Sequence, residues 1–208
     1  MIFDTPSGVF IIPLILFPGE SLTIRVFEPR YHQLIRDCDR NDGCFVIADT
    51  DNDKVTIPLQ EESPFYATRV RIVSSGLLTT GDRIVEVVGD ERISVKNWLP
   101  DDPYPVALIR SANDMDLPDL VRLGELENYL KHAIRLAIEM GAKVNIFDSS
   151  ELPTDPTMRL WALCAKTPLH KDQRHELLVE PFGSNRLETL GGFVAEQIEF
   201  YEKMLGIR

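Results

Sequence analysis

Three cysteines and four histidines are the side chains of this 208-residue chain best suited to nucleophilic or metal chemistry. A thiol or hydroxyl nucleophile needs a base beside it, or a depressed pKa. Cys38 falls on the apolar stripe of a helix and Cys164 sits beside Trp161, so both read as packed thiols, with Cys44 the more exposed. There is no Gly-x-Ser-x-Gly elbow. His170 and His175, at i and i+5, project ~140° apart around a helix rather than on one face. His32 and His132 stand singly on helix surfaces, and Cys38 with Cys44 lacks the second ligand pair of a zinc site. Two acidic runs, Asp37–Asp39–Asp42 and Asp49–Asp51–Asp53, lack the glycine and distal Glu of a calcium loop and read as solvated turns. Gly76 and Gly81 have the spacing of a phosphate loop, but Asp82–Arg83 replaces its Lys and Ser/Thr, so the segment reads as a hairpin turn. The expectation is a chain with no catalytic residue, no cofactor and no metal.

Binding chemistry is left. Arg69 and Arg71 share one face of a strand, and with Tyr104 they are the candidate binding surface. The competing reading is that both arginines merely offset neighbouring acids. The net charge of −11 disfavours phosphate backbones. Arg69, Arg71, Arg83 and Arg92 would form a basic patch only if Asp82, Glu86, Asp90 and Glu91 did not interleave with them.

The elements that hold these residues change character near residue 115, which divides an expected β-rich subdomain (1–115) from a helical bundle (116–208). Both halves are acidic. Strands are expected over 9–16 and 22–26 around a type II turn at Pro18–Gly19, where Pro fixes φ and Gly accepts a positive φ. Pro29 opens a helix whose apolar residues Tyr31, Leu34, Ile35 and Cys38 recur at i, i+3, i+4 and i+7. Further strands are expected over 44–48, 54–59, 65–73, 83–88, 93–98 and 105–110, making a small, partly closed β-barrel. A helix over 117–140 carries the stripe Leu120, Leu123, Leu126 or Glu127, Leu130, Ile134, Ala137 and Ile138, and stops at Gly141. Helices opening at Asp155–Pro156, spanning 171–179, and capped by Ser184 complete the bundle. No span of ~20 apolar residues exists, and unpaired thiols with no signal peptide point to the cytoplasm.

The opening residues Phe17–Pro18–Gly19, with Phe27–Glu28–Pro29–Arg30–Tyr31 following, resemble the signature of the N-terminal domain of Lon proteases. Ala67–Thr68–Arg69–Val70 is similar to the family's next strand. Gly89–Asp90–Glu91–Arg92–Ile93 falls where the family has a basic turn before a strand, but is acidic here. The tail, from Leu152–Pro153 through Thr167–Pro168–Leu169 to Arg186–Leu187, resembles the helical subdomain. The resemblance implies an α+β fold, a PUA-like barrel with one early helix followed by a helical bundle. It also implies a part in substrate recognition and assembly, without the ATPase and peptidase that would have to follow Arg208.

The signature itself reads as structural. Phe27 is expected in the core, Glu28 at the helix start, and Arg30 reaching back to the barrel. The leading expectation is a non-enzymatic module that binds unfolded or extended polypeptide at a sheet edge, with a protease or chaperone as partner and self-association left open. The alternatives are a PUA-like RNA-binding protein and a hydrolase with an unrecognised site.

Overall fold

Apolar side chains alternating with polar ones draw out six strands and one early helix in the first part of the chain. They are β1 (Thr5–Ile11), β2 (Ser21–Val26), α1 (Pro29–Arg40), β3 (Cys44–Ala48), β4 (Phe65–Leu77), β5 (Arg83–Leu99) and β6 (Val106–Ser111). A longer apolar period then gives α2 (Leu120–Glu139), α3 (Pro156–Lys166), α4 (Lys171–Val179) and α5 (Gly183–Leu205). The computed structural model describes residues 4–49 and 65–207. The strand expected over 54–59, with Asp51 and Asp53, lies outside the described residues. Two compact units, Met1–Asn113 and Asp114–Arg208, divide the chain. The fold is mixed α+β. Among the described residues no helix is long and apolar enough to cross a membrane.

The strands of the first unit run in the order β2-β5-β4-β3-β1-β6, and β6 also pairs with β5. Strands β5, β4, β3, β1 and β6 therefore close a ring, with β2 attached alongside β5. Val9, Val46, Ala48, Ala67, Ile93, Val95, Ala107 and Ile109, drawn from those five strands, form one buried cluster inside it. On the other face, Tyr31, Leu34, Ile35 and Cys38 of α1 pack on Phe10, Phe45, Ile47, Val70, Val85 and Val87. Phe10 stacks on Tyr31 with centroids 4.1 Å apart.

Several elements depart from the sequence expectation, each for a local reason. The strand expected over 9–16 runs instead over Thr5–Ile11. Pro13 interrupts pairing, and Ile15, Leu16 and Phe17 are all buried in succession, which a half-exposed strand does not allow. Residues 83–88 and 93–98 belong to one 17-residue strand, β5, and Gly89 is not a turn. Its backbone faces the Phe17–Gly19 turn, donating to Glu20 O and accepting from Gly19 N. A Cβ at position 89 would lie 2.3 Å from Phe17 O. The turn has the expected form, with Gly19 at φ 80° and a Glu20 N–H donated to Phe17 O.

Phe27, expected in the core, is 65% exposed, since it follows β2, whose last residue Val26 takes the buried position. Arg30 does not reach the sheet. It donates to Glu28 at 2.8 Å and lies over the Tyr31 ring.

In the second unit α2 begins at Leu120 rather than 117, since Asp119 accepts from Val121 N and Arg122 N and so sets the start. Leu120 consequently lies outside the buried stripe, at 67% exposure. Ser184 does not cap α5. The Asp116 carboxylate caps that helix from outside, accepting from Ser184 N at 3.0 Å and Ser184 Oγ at 2.5 Å. The core is organised by Arg186, which is fully buried. Its guanidinium grips Asp114 in a bidentate pair at 2.5 and 2.9 Å, donates to Leu177 O and Glu180 O, and stacks 3.8 Å from the Trp161 ring centroid.

Three substitutions, one of them a control, test these contacts by urea or thermal unfolding. Gly89→Ala is expected to destabilise the strand-ring unit by about 2–3 kcal/mol, because backbone must move. Gly76→Ala, in the hairpin with open space around it, should cost no more than about 1 kcal/mol. Asp114→Asn, which leaves Arg186 buried without its counter-ion, should cost the helical unit about 3–5 kcal/mol.

Candidate functional site

The inner faces of the ring strands change from apolar to polar at one end. Ser7, Cys44, Arg69, Glu91 and Ser111 each lie two residues from a member of the inner cluster, namely Val9, Val46, Ala67, Ile93 and Ile109. With a period of two they fall on the same inward faces. They line a groove of about 580 Å³, together with Tyr104 and the α1 residues Leu34, Asp37 and Cys38.

The groove exists because two parallel strands diverge. β1 pairs with β3 only through Val9, Phe10 and Ile11, whereas Thr5, Pro6, Ser7 and Gly8 pair with β6. Cys44 and Phe45 of β3 pair with β4. Among the described residues, the facing backbone edges of 5–8 and 44–45 therefore carry no strand pairing on the groove side.

Arg69, Tyr104 and Arg71, the candidates that residue type alone singles out, separate here. Arg69 and Tyr104 line this groove, and Arg71 is exposed outside it. The Arg69 guanidinium lies 2.8 Å from Asp42, 3.2 Å from Glu91 and 3.9 Å from Asp90. Burial works against its charge, but Cys44, Asp42 and Glu91 outweigh that and raise its pKa above the ordinary value. Tyr104 donates to Asp37 Oδ2 at 3.1 Å; burial first, and Asp37 second, push its hydroxyl up to about 12. Glu91 also accepts from Ser111 Oγ at 2.6 Å. Polar groups at the mouth are thus committed to one another.

That arrangement is poor for catalysis. Cys38 donates to Cys44 O, and burial followed by the charges of Asp42 and Asp39 lifts its pKa to about 12. Burial raises Cys44 too, against the opposing pull of Arg69. Cys164, completely enclosed, is likewise held at about 12 by burial. A thiol so raised is protonated near neutral pH and is a weak nucleophile. None of the four histidines lines the groove. No three His, Cys, Asp or Glu side chains among the described residues converge where a metal ion could sit.

The arginines do not assemble into a basic patch. Arg83 pairs with Asp39 at 3.1 Å. Arg92 is buried, donating to Ala112 O and lying over the Tyr66 ring.

One polar cluster was not anticipated from the sequence. Glu127, buried on α2, accepts from Lys131 Nζ at 2.9 Å, Arg159 at 2.5 Å and Ser149 Oγ, and Lys131 also donates to Ser149. The hydroxyl–amine contact resembles a catalytic pair, but both members are hydrogen-bonded to the Glu127 carboxylate, as parts of one structural network. The signal was present: an acid on an apolar stripe with Lys at i+4. Burial opposes ionisation of Glu127, yet the hydrogen bonds from Ser149, Lys131 and Arg159 bring its pKa from 4.5 to about 2. Its contribution to stability is therefore full above about pH 4.5 and is lost as pH falls through about 2. Glu127→Gln should flatten the acid limb of the helical unit's unfolding profile over that window, a difference of roughly 3 kcal/mol at neutral pH, measured by urea titration at stepped pH.

Comparison with known proteins supplies the remaining finding. The family model for the ATP-dependent protease La (LON) substrate-binding domain matches residues 9–196. A solved Lon N-terminal domain protein from Xanthomonas campestris is 25% identical, covering 89% of this chain and 96% of its own with a TM-score of 0.64. The N-terminal domain of the Mycobacterium avium complex Lon protease is 17% identical and covers 92% of this chain and 98% of its own; its TM-score of 0.70 is a likeness of fold. No curated protein sequence matches.

Proposed function

Because the chain belongs to the LON substrate-binding domain family, we propose that it recognises polypeptide without transforming it, and that an extended segment docks in the groove between β1 and β3. The divergence of those strands carries this reading. An extended chain entering there meets the β1 backbone over 5–8, since Cys44 N and O of β3 are already bonded to Asp42 Oδ1 and Cys38 Sγ, and main-chain hydrogen bonds to such an edge provide affinity while flanking side chains select. Arg69 and Tyr104 line the path of the segment, but both are held by carboxylates, so they shape the groove rather than supply free charge.

RNA recognition needs a basic groove with stacking aromatics, and the pairing of Arg69, Arg83 and Arg92 within the protein counts against it. Hydrolysis needs a nucleophile within reach of a base. The protonated thiols and committed carboxylates of the mouth count against that. A module of this kind serves a protease or chaperone that supplies the chemistry.

The test is fluorescence anisotropy with a labelled, reduced and alkylated ribonuclease chain. Ser7→Trp, which fills the groove from the inner face of β1, should weaken binding about ten-fold or more, with the far-UV spectrum unchanged. Arg71→Glu, outside the groove, should bind like the parent. Bound polypeptide should also slow thiol labelling of Cys44. Binding by the parent that is indifferent to Ser7→Trp would remove the groove, and failure of the parent to bind any unfolded chain would remove polypeptide recognition itself.

A further inference from the structure

We infer that the helical unit contains a second binding site, independent of the strand groove, for a small aromatic group that presents one N–H or O–H donor. A recess of about 380 Å³ opens between α2, α3 and α5. Its walls are apolar, built from Leu130, Ile134 and Ala137 of α2 with Val144, Phe147 and Tyr201. Apolar recesses of this size with few polar groups are the usual form of small-ligand sites.

Its polar side chains are Asn145, Lys166, Thr167 and Gln197, and of these Gln197 holds a buried atom left unmet. Its Nε2 donates to Pro168 O at 2.8 Å, which fixes the amide's orientation and leaves Oε1 as the remaining acceptor. That oxygen is buried and has no hydrogen-bond partner among the described residues. A buried acceptor left unmet costs free energy, so native structures rarely leave one without a partner. An occupant of the recess also lies beside the Lys166 ammonium, which stands 5.1 Å from the Phe147 ring centroid. The neighbouring hydroxyl of Thr167 already donates to Leu163 O at 2.8 Å. The aromatic walls Phe147 and Tyr201 favour a flat ring, and Oε1 favours a ring bearing a donor. An indole combines both, as a free small molecule or as the side chain of a bound polypeptide.

The experiment titrates the full chain with indole and with 1-benzothiophene, which has the same shape but no N–H, following backbone amide signals by NMR. Indole should shift Ala137, Phe147 and Tyr201 and bind about ten-fold more tightly than benzothiophene. In Gln197→Met the two probes should bind within about two-fold of each other. Ala137→Phe, which fills the recess from the opposite wall, should abolish both and covers the case in which the Gln197 variant unfolds. N-acetyl-tryptophan amide distinguishes the sources. Tighter binding than indole assigns the ligand to a polypeptide side chain, weaker binding to a free molecule, and either result upholds the site. Equal binding of indole and benzothiophene to the parent, indole binding that survives Ala137→Phe, or no binding up to the solubility limit would each overturn it.

Discussion

The strand ring depends on a contact between two stretches of backbone. The Phe17 carbonyl approaches position 89 so closely that no side chain fits there. Hydrogen bonds from Gly19 N to Gly89 O and from Gly89 N to Glu20 O hold the turn against the middle of β5. With the turn seated, β5 runs without a break for 17 residues. It pairs with β2 and β4 along one stretch and with β6 along another. Over Ile93, Ser94 and Val95 it pairs with β4 on one edge and β6 on the other, and that double pairing closes the ring. Closure in turn places Ser7, Cys44, Arg69, Glu91 and Ser111 around one mouth. The Phe17–Pro18–Gly19 signature is thus a statement about Gly89 as much as about its own turn.

Charge in this protein is used internally. The chain is acidic overall, at −11, and several arginines of the strand-ring unit are held by its own acids. Arg25, Arg69, Arg83 and Arg110 each pair with a carboxylate. The same holds at the centre of the helical unit, where Arg186 is surrounded by Asp114, two carbonyls and Trp161. Buried ion pairs of this kind specify which partners meet more than they add stability, since desolvation offsets much of the attraction.

Much of the architecture is legible in the order of the amino acids. The period of Tyr31, Leu34, Ile35 and Cys38 identifies α1, and all four are buried. Pro29, Pro156 and the turn at Pro18–Gly19 stand where their backbone restrictions predict. The helix expected over 171–179 runs over those residues. The failures cluster where a residue type has two uses. Gly89 and Asp90 read as a turn because glycine allows turns, but glycine also allows close approach, and only the distant Phe17 decides between them. Phe27 reads as core because aromatics usually are, but it follows β2, whose last residue Val26 takes the buried position, and it is left exposed. Ser184 reads as a cap because serine caps helices, whereas Asp116, remote in sequence, supplies the oxygen.

The candidate site shows the same division. Arg69 and Tyr104 can be singled out by type, and the alternation that brings Ser7, Cys44, Glu91 and Ser111 inward is written in the chain. Their convergence is not, because it requires that β1 pair with β6 on one edge over residues 5–8 and with β3 on the other only over residues 9–11, a choice made by sheet closure. Local periodicity and backbone chemistry act between neighbours in sequence, so the amino-acid order alone determined the helices, the turns and most strands. Which faces meet, which carboxylate takes which arginine, and which polar atom such as Gln197 Oε1 is left buried are decided between residues far apart in the chain. Those outcomes came only with the tertiary structure.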